Sequence, residues 1–344
     1  MEKKRSRVFS GIQPTGEIHL GNYLGAIRNW VGILNRYECI FCIVDYHAAT
    51  IEYDPKEMPR RIFEAALDNI AAGLDPSQCT LFVQSHVPEH TELCWVLNTV
   101  TPIGELERMI QFKEKSRQNE QNINTGLFDY PVLQTADIIL YKATHVPVGE
   151  DQVQHVELAR EIVRKFNNRY GEIFPEPEVI LSPTPRLMGL DGKSKMSKSK
   201  GNTISLMETK ETLWQKLSTA FTDESRLRRS DPGHPEICNL FTIHKSLTAE
   251  EKVREIEEAC RTAAIGCVDC KKILLESLWR EFEPIQERKR ELLQNPDFVL
   301  KVLDEGARRC KEIAGTTMRE VREAMGLSRD LISRTAPSVE IKTC

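Results

Sequence analysis

The chain has 344 residues, of which 40% are apolar and 28% charged, and its net charge is −4. That length leaves room for two domains around a large core. No apolar run approaches the length of a membrane span, and an acidic overall balance means that a polyanion must be met by a local basic patch. The opening Met-Glu-Lys-Lys-Arg-Ser-Arg has no apolar stretch behind it, which predicts no secretory signal and a cytoplasmic protein. In that setting the ten cysteines read as thiols or metal ligands, not as a disulfide framework.

The first predicted strand, Val8–Ile12, breaks into three glycines, Gly11, Gly16 and Gly21, and then opens a helical stretch from Asn22 to Asn35. A strand that gives way to glycines and a helix start can turn backbone N–H groups and the helix dipole toward phosphate. His19 and Asn22 add side-chain donors at the same turn. Two further strands are predicted at Cys39–Val44 and Thr80–Gln84, each leading toward a helical stretch. The alternation predicts an α/β fold, a Rossmann-like doubly wound parallel sheet with helices on both faces. Ligands of such sheets sit at the carboxyl ends of the strands, where residues 9–22 lie. Strand alternation places Cys39 and Cys42 on opposite faces.

Farther along, Tyr130-Pro-Val-Leu-Gln134-Thr-Ala-Asp137 sets a carboxylate in an apolar helical run after a proline-containing turn. A buried acceptor of that kind rejects ligands that leave it unpaired. Residues 183–202, rich in Pro, Gly, Ser and Lys, read as a mobile loop carrying Lys195-Met-Ser-Lys198-Ser. From Leu206 to about Gly326 the pattern is helical, and beyond Ser328 the periodicity weakens. The expected division is a catalytic unit over residues 1–204, a helical unit over 205–330 and a flexible tail over 331–344. Within the helical unit, Cys238, Cys260, Cys267 and Cys270 end in a Cys-x-x-Cys pair, a donor set suited to tetrahedral zinc or an iron–sulfur cluster. Lys271 and Lys272 follow the last thiol. Two basic clusters, Arg226/Arg228/Arg229 and Arg288-Lys-Arg290, are candidate RNA contacts.

The segment Phe9 to Gly25 resembles the HIGH-type signature of class I aminoacyl-tRNA synthetases, in the version of the tryptophanyl-tRNA synthetases. Residues 195–199 match the KMSKS signature of the same class residue for residue and follow in the expected order. The resemblance runs from about Arg7 to Gly326. It implies ATP-dependent activation of L-tryptophan, with Mg²⁺, and transfer to a cognate tRNA by a homodimer, with no DNA or membrane partner. The amino-acid carboxylate is the nucleophile, so the protein has to supply positive charge to the leaving pyrophosphate. Lys195 and Lys198 would do so, with loop closure as the gate, and Lys115 aligns with a further phosphate lysine. The implied ATP set is Gln13, Thr15, His19, Gly21, Asn22, Gly149, Asp151, Met188, Lys195, Ser197 and Lys198.

For tryptophan the resemblance implies Asp137 as acceptor of the indole N–H, walls from Phe9, Gly11, Tyr130, Gln134, Ile138, Val146 and Val148, and Gln13, His47 and Gln152 for the ammonium and carboxylate ends. The cysteine spacing resembles that of bacterial members with a 4Fe–4S cluster in the anticodon-reading domain, with Zn²⁺ as the alternative. Tyr130, Gln134 and Asp137 also fit the tyrosyl pattern. Phe9 and Gln13 favour tryptophan, because tyrosyl enzymes carry Tyr and Asp at those two positions. A tyrosyl-tRNA synthetase and a non-catalytic tRNA-binding paralogue are the alternatives.

Overall fold

The computed structural model describes residues 5–118, 123–182, 187–192, 194, 196, 197 and 200–335, without the side chains of residues 114, 115, 118 and 335. Five parallel strands, β1 (Arg7–Ile12), β2 (Glu38–Ile43), β3 (Cys79–Val83), β4 (His145–Val148) and β5 (Glu178–Leu181), form one sheet in the order β3-β2-β1-β4-β5. This is the expected fold class. The strand order reverses beside β1, so the crevice for a ligand opens at the carboxyl ends of β1 and β4.

Alternation within β2 feeds two separate cores. Cys39, Phe41 and Ile43 pack with Leu24, Ile27 and Trp30 on one face, while Ile40 and Cys42 pack with Phe82, Ile139 and Phe166 on the other. Cys39 and Cys42 therefore do lie on opposite faces, and burial pushes the Cys39 thiol up to about 11. The strands read from sequence fall within a residue of β1, β2 and β3.

The helices after residue 205 are long and amphipathic, as expected: Lys210–Thr219, Asn239–Leu247, Glu250–Arg261, Cys267–Leu293 and Pro296–Ala324. The last two pack on the sheet layers. The Lys289 ammonium meets Asp68 of helix Met58–Ala71 at 2.6 Å, and Arg288 Nε donates to the Ala71 carbonyl at 2.6 Å. These two members of the second basic cluster are engaged within the protein. Beyond Ser328, where weak periodicity predicted a frayed end, Arg329–Thr335 forms a helical stretch whose first amides, Leu331 and Ile332, donate to the Ser328 carbonyl.

Helix Pro296–Ala324 closes the β3 edge of the sheet, and Gly306 makes that possible. A Cβ on Gly306 would sit 2.0 Å from the Leu81 carbonyl oxygen, so the helix backbone lies directly on the strand. Gly306→Ala is expected to cost about 3 kcal/mol through overpacking, read as a lower thermal midpoint. Gly315→Ala, in the same helix but with open space around the added methyl, is the control and is expected to be neutral or stabilising.

Candidate active site

A cavity of about 980 Å³ opens at the carboxyl ends of β1 and β4. Its polar corner is built by the turn after β1. His19 caps the helix that starts at Leu20, with Asn22 N–H donating to His19 Nδ1 and His19 N–H donating to Asn22 Oδ1, both at 3.3 Å. Occupying Nδ1 as an acceptor places the proton of the neutral ring on Nε2, a donor. A Cβ on Gly21 would lie 3.0 Å from the His19 ring, so the glycine is what lets the imidazole lie over the helix start. The helix then passes through a π-wound turn at Tyr23–Ile27, a distortion often found beside functional sites.

The other lobe is apolar and aromatic. Phe9 stacks on Tyr141 with centroids 5.5 Å apart, and His47 lies 4.1 Å from the Tyr130 ring. Gln13 Nε2 donates to Tyr130 Oη at 2.9 Å, joining the β1 turn to helix Thr125–Ile139. Burial pushes the Tyr130 hydroxyl up to about 12. Pro131 lies inside this helix and not in a turn before it; the helix starts earlier, at an Asn124 cap whose side chain accepts from Leu127 N–H. Gln134 Oε1 meets His155 Nδ1 at 2.7 Å.

Asp137 is buried at 2% exposure and is held by three side chains. Its Oδ1 meets His90 Nδ1 at 2.7 Å and Gln84 Nε2 at 2.7 Å, while its Oδ2 meets His47 Nε2 at 2.8 Å and Gln84 Nε2 at 2.9 Å. Burial acts to raise this carboxyl, but the His47 and His90 imidazoles outweigh it and hold the group down at about 2. The acceptor read from sequence is thus the hub of a polar cluster, and His47 directs Nε2 to it. Gln84, His90 and Tyr141 were not singled out in the sequence. Gln84 carried the one available signal, its position at the carboxyl end of a predicted strand.

Of the sequence-predicted residues, Phe9, Gly11, Gln13, His19, Gly21, Asn22, His47, Tyr130, Gln134, Asp137, Ile138, Val146, Val148, Gly149, Asp151, Gln152 and Ser197 line the cavity together. Thr15 and Met188 are not among its lining. Lys195 and Lys198 lie outside the described residues, as does the side chain of Lys115. Within the segment expected to be a mobile loop, several of the described residues are tied to their surroundings. Met196 is buried, its N–H donates to Leu187 O at 3.2 Å, and Ser197 N–H donates to Asn202 Oδ1 at 2.9 Å. Asn202 in turn fills the space where a Cβ on Gly189 would be.

The four predicted metal ligands share one neighbourhood. Arg226 Nη1 lies 3.9 Å from both Cys260 Sγ and Cys267 Sγ, and Cys270 Sγ lies 3.4 Å from His244 Nε2. Among the described residues, however, no group of three or more His, Cys, Asp or Glu side chains is arranged to hold a metal ion. Burial, with the neighbouring cysteines, pushes the Cys270 thiol up to about 12 and raises Cys238 and Cys260. The expected cluster is not supported by this arrangement. Lys271, read as basic surface beside it, is buried and donates to the Ser218 and Ala220 carbonyls at 2.8 and 2.9 Å. Arg226 is likewise engaged with the Ile265 carbonyl, leaving Arg228 and Arg229 as the exposed members of the first basic cluster.

A parallel sheet with a glycine turn, a capped helix start and an aromatic lobe at its switch point defines an α/β enzyme that holds a nucleotide beside a small aromatic or apolar group. The chain belongs to the family described as tRNA synthetases class I (W and Y), which it matches over residues 1–283. It is 50% identical to the tryptophan–tRNA ligase of Deinococcus radiodurans, over 93% of this chain and 98% of that one. It is 46% identical to the tryptophan–tRNA ligase of Thermotoga maritima, over 93% and 99%. Among solved structures, the tryptophanyl-tRNA synthetase of Campylobacter jejuni complexed with ADP and tryptophan superposes with a TM-score of 0.81 at 37% identity, covering 93% of this chain and all of that one. A tyrosyl-tRNA synthetase of Archaeoglobus fulgidus, at 23% identity and a TM-score of 0.68, shares the fold. No helix among the described residues is long and apolar enough to cross a membrane.

Proposed function

We infer that this chain is a tryptophan–tRNA ligase, which activates L-tryptophan with ATP and transfers it to tRNA. The observation that carries this reading is one cavity lined both by the His19 helix start and by Phe9, Tyr130 and Asp137, in a chain 50% identical to a tryptophan–tRNA ligase along nearly its whole length. ATP, with its Mg²⁺, is assigned to the polar lobe, with Gln13, His19, Gly21, Asn22, Gly149, Asp151 and Ser197 around it. Tryptophan is assigned to the aromatic lobe, its indole N–H toward Asp137 and its polar ends toward Gln13 and Gln152. Its carboxylate attacks the α-phosphorus and pyrophosphate leaves. The His19 Nε2–H and the backbone N–H groups of the helix start are donors to phosphate oxygens, and Lys195, Lys198 and Lys115 are assigned to the charge that develops on the leaving group. Charging of bulk tRNA with labelled tryptophan tests the reading; a folded protein that leaves tRNA uncharged would sink it.

The helical unit after residue 205 is proposed as the anticodon-binding part, where exposed Arg228, Arg229 and Arg290 meet RNA. A homodimer is proposed from the resemblance to the tryptophanyl family, and the exposed Trp95, Ile103 and Ile110, on three successive helices at 75%, 66% and 58% exposure, are the apolar surface assigned to it. Trp95→Glu is expected to give a monomer by sedimentation velocity. The reading of Cys238, Cys260, Cys267 and Cys270 as ligands of a 4Fe–4S cluster, or of Zn²⁺, rests on their spacing, and no step of the reaction passes through them. Iron or zinc at one site per chain in an anaerobic preparation would support it, and a metal-free protein with full activity would end it.

A further inference from the structure

We propose that His90, backed by Tyr141, is a positioning residue for the tryptophan site: it clamps the Asp137 carboxylate so that the acceptor facing the indole N–H keeps one direction. The proposal rests on the tryptophan reading above and deepens it.

A chain of buried polar contacts leads away from the pocket. Asp137 Oδ1 meets His90 Nδ1 at 2.7 Å, and His90 Nε2 meets Tyr141 Oη at 2.7 Å. His90 and Tyr141 are both 0% exposed and neither lines the cavity. An ionised carboxylate can only accept, so His90 must donate from Nδ1. With Nδ1 committed to the carboxylate, Nε2 is left to meet the Tyr141 hydroxyl, and the tyrosine fixes the ring direction. On the other side, His47 and Gln84 hold the same carboxylate. Four close contacts from three side chains leave Asp137 no freedom to swing toward a ligand. Its direction is therefore set before tryptophan arrives, in part by His90 and Gln84, which do not line the cavity. Tyr141 also contacts the Cys310 thiol on helix Pro296–Ala324, so the clamp is anchored in the helical part of the chain. Such polar groups could have been replaced by apolar ones of the same shape at little cost in stability; a preset acceptor direction is what they add.

Tyr141→Phe removes the hydroxyl and keeps the ring that stacks on Phe9. In ATP–pyrophosphate exchange this variant is expected to raise KM for tryptophan roughly tenfold and to leave KM for ATP unchanged. Preference for tryptophan over its benzothiophene analogue, which has sulfur in place of the N–H, is expected to fall by a similar factor. His90→Leu should exceed this effect, and His90→Asn, which keeps a donor near the Nδ1 position, should recover part of it. Equal changes in both KM values, or an unaltered preference for the N–H in Tyr141→Phe, would overturn the clamp while leaving the function intact. Failure of the wild-type chain to exchange with tryptophan would instead overturn the function reading and the clamp with it.

Discussion

Lys195→Ala is expected to lower the rate of tryptophan activation by about two to three orders of magnitude, with the KM for tryptophan nearly unchanged. The reaction has no protein nucleophile, so the groups that neutralise the departing pyrophosphate carry most of the catalysis. Removing one preorganised positive group from such a site raises the barrier by about 3–4 kcal/mol. The two residues that follow Lys195 lie at the cavity. Met196 is buried, Ser197 is tied to the Asn202 side chain, and both line the cavity beside His19 and Gly21. Lys198→Ala is expected to act in the same direction. The two losses should not add fully, because both lysines are assigned to the same charge. Single-turnover measurement of adenylate formation, with tryptophan binding followed separately, distinguishes this outcome from a loss of substrate affinity.

Asp137→Ala carries the second large effect, on both activity and stability. Its removal strands His47, His90 and Gln84 in the core without their common acceptor, at a cost of about 3 kcal/mol or more. It also removes the acceptor assigned to the indole N–H, and kcat/KM for tryptophan is expected to fall by about two to three orders of magnitude. The folded carboxyl, held at about 2, lies below its unfolded value of 3.8, so its contribution is complete above pH 4 and is lost as pH falls toward 2. Acid unfolding curves of the wild type and of Asp137→Asn should therefore converge at low pH and separate above pH 4. Parallel curves throughout would contradict the assigned charge state.

Much of this was legible in the sequence, for physical reasons. β2 and β3 are nearly continuous runs of apolar and β-branched residues, the pattern of strands buried on both faces, and β1 was marked by Val8 and Phe9 leading into its glycine. β4 and β5 were missed because each is four residues long, β4 contains Pro147, and β5 sits between prolines. His19 was visible beside its glycines and Asp137 as a polar group in an apolar run, while Phe9, Gln13 and Tyr130 were visible through the resemblance to the tryptophanyl signature. The partners of Asp137 were not visible, since Gln84 and His90 lie about 50 residues away and only the packing of β3 and helix Glu89–Asn98 brings them in. Lys271 read as surface because a lysine beside another lysine normally is; its two carbonyl acceptors come from the C-terminal end of helix Lys210–Thr219, about 50 residues upstream. Sequence periodicity reports which face a residue occupies, and long-range hydrogen bonding lies beyond it.

The central claim, a class I active site that selects tryptophan, is tested most directly by ATP–pyrophosphate exchange on the wild-type chain with tryptophan and tyrosine offered separately. Robust exchange with tryptophan and only background with tyrosine is the predicted result. Exchange with tyrosine at a comparable or greater rate would contradict the assignment of the aromatic lobe.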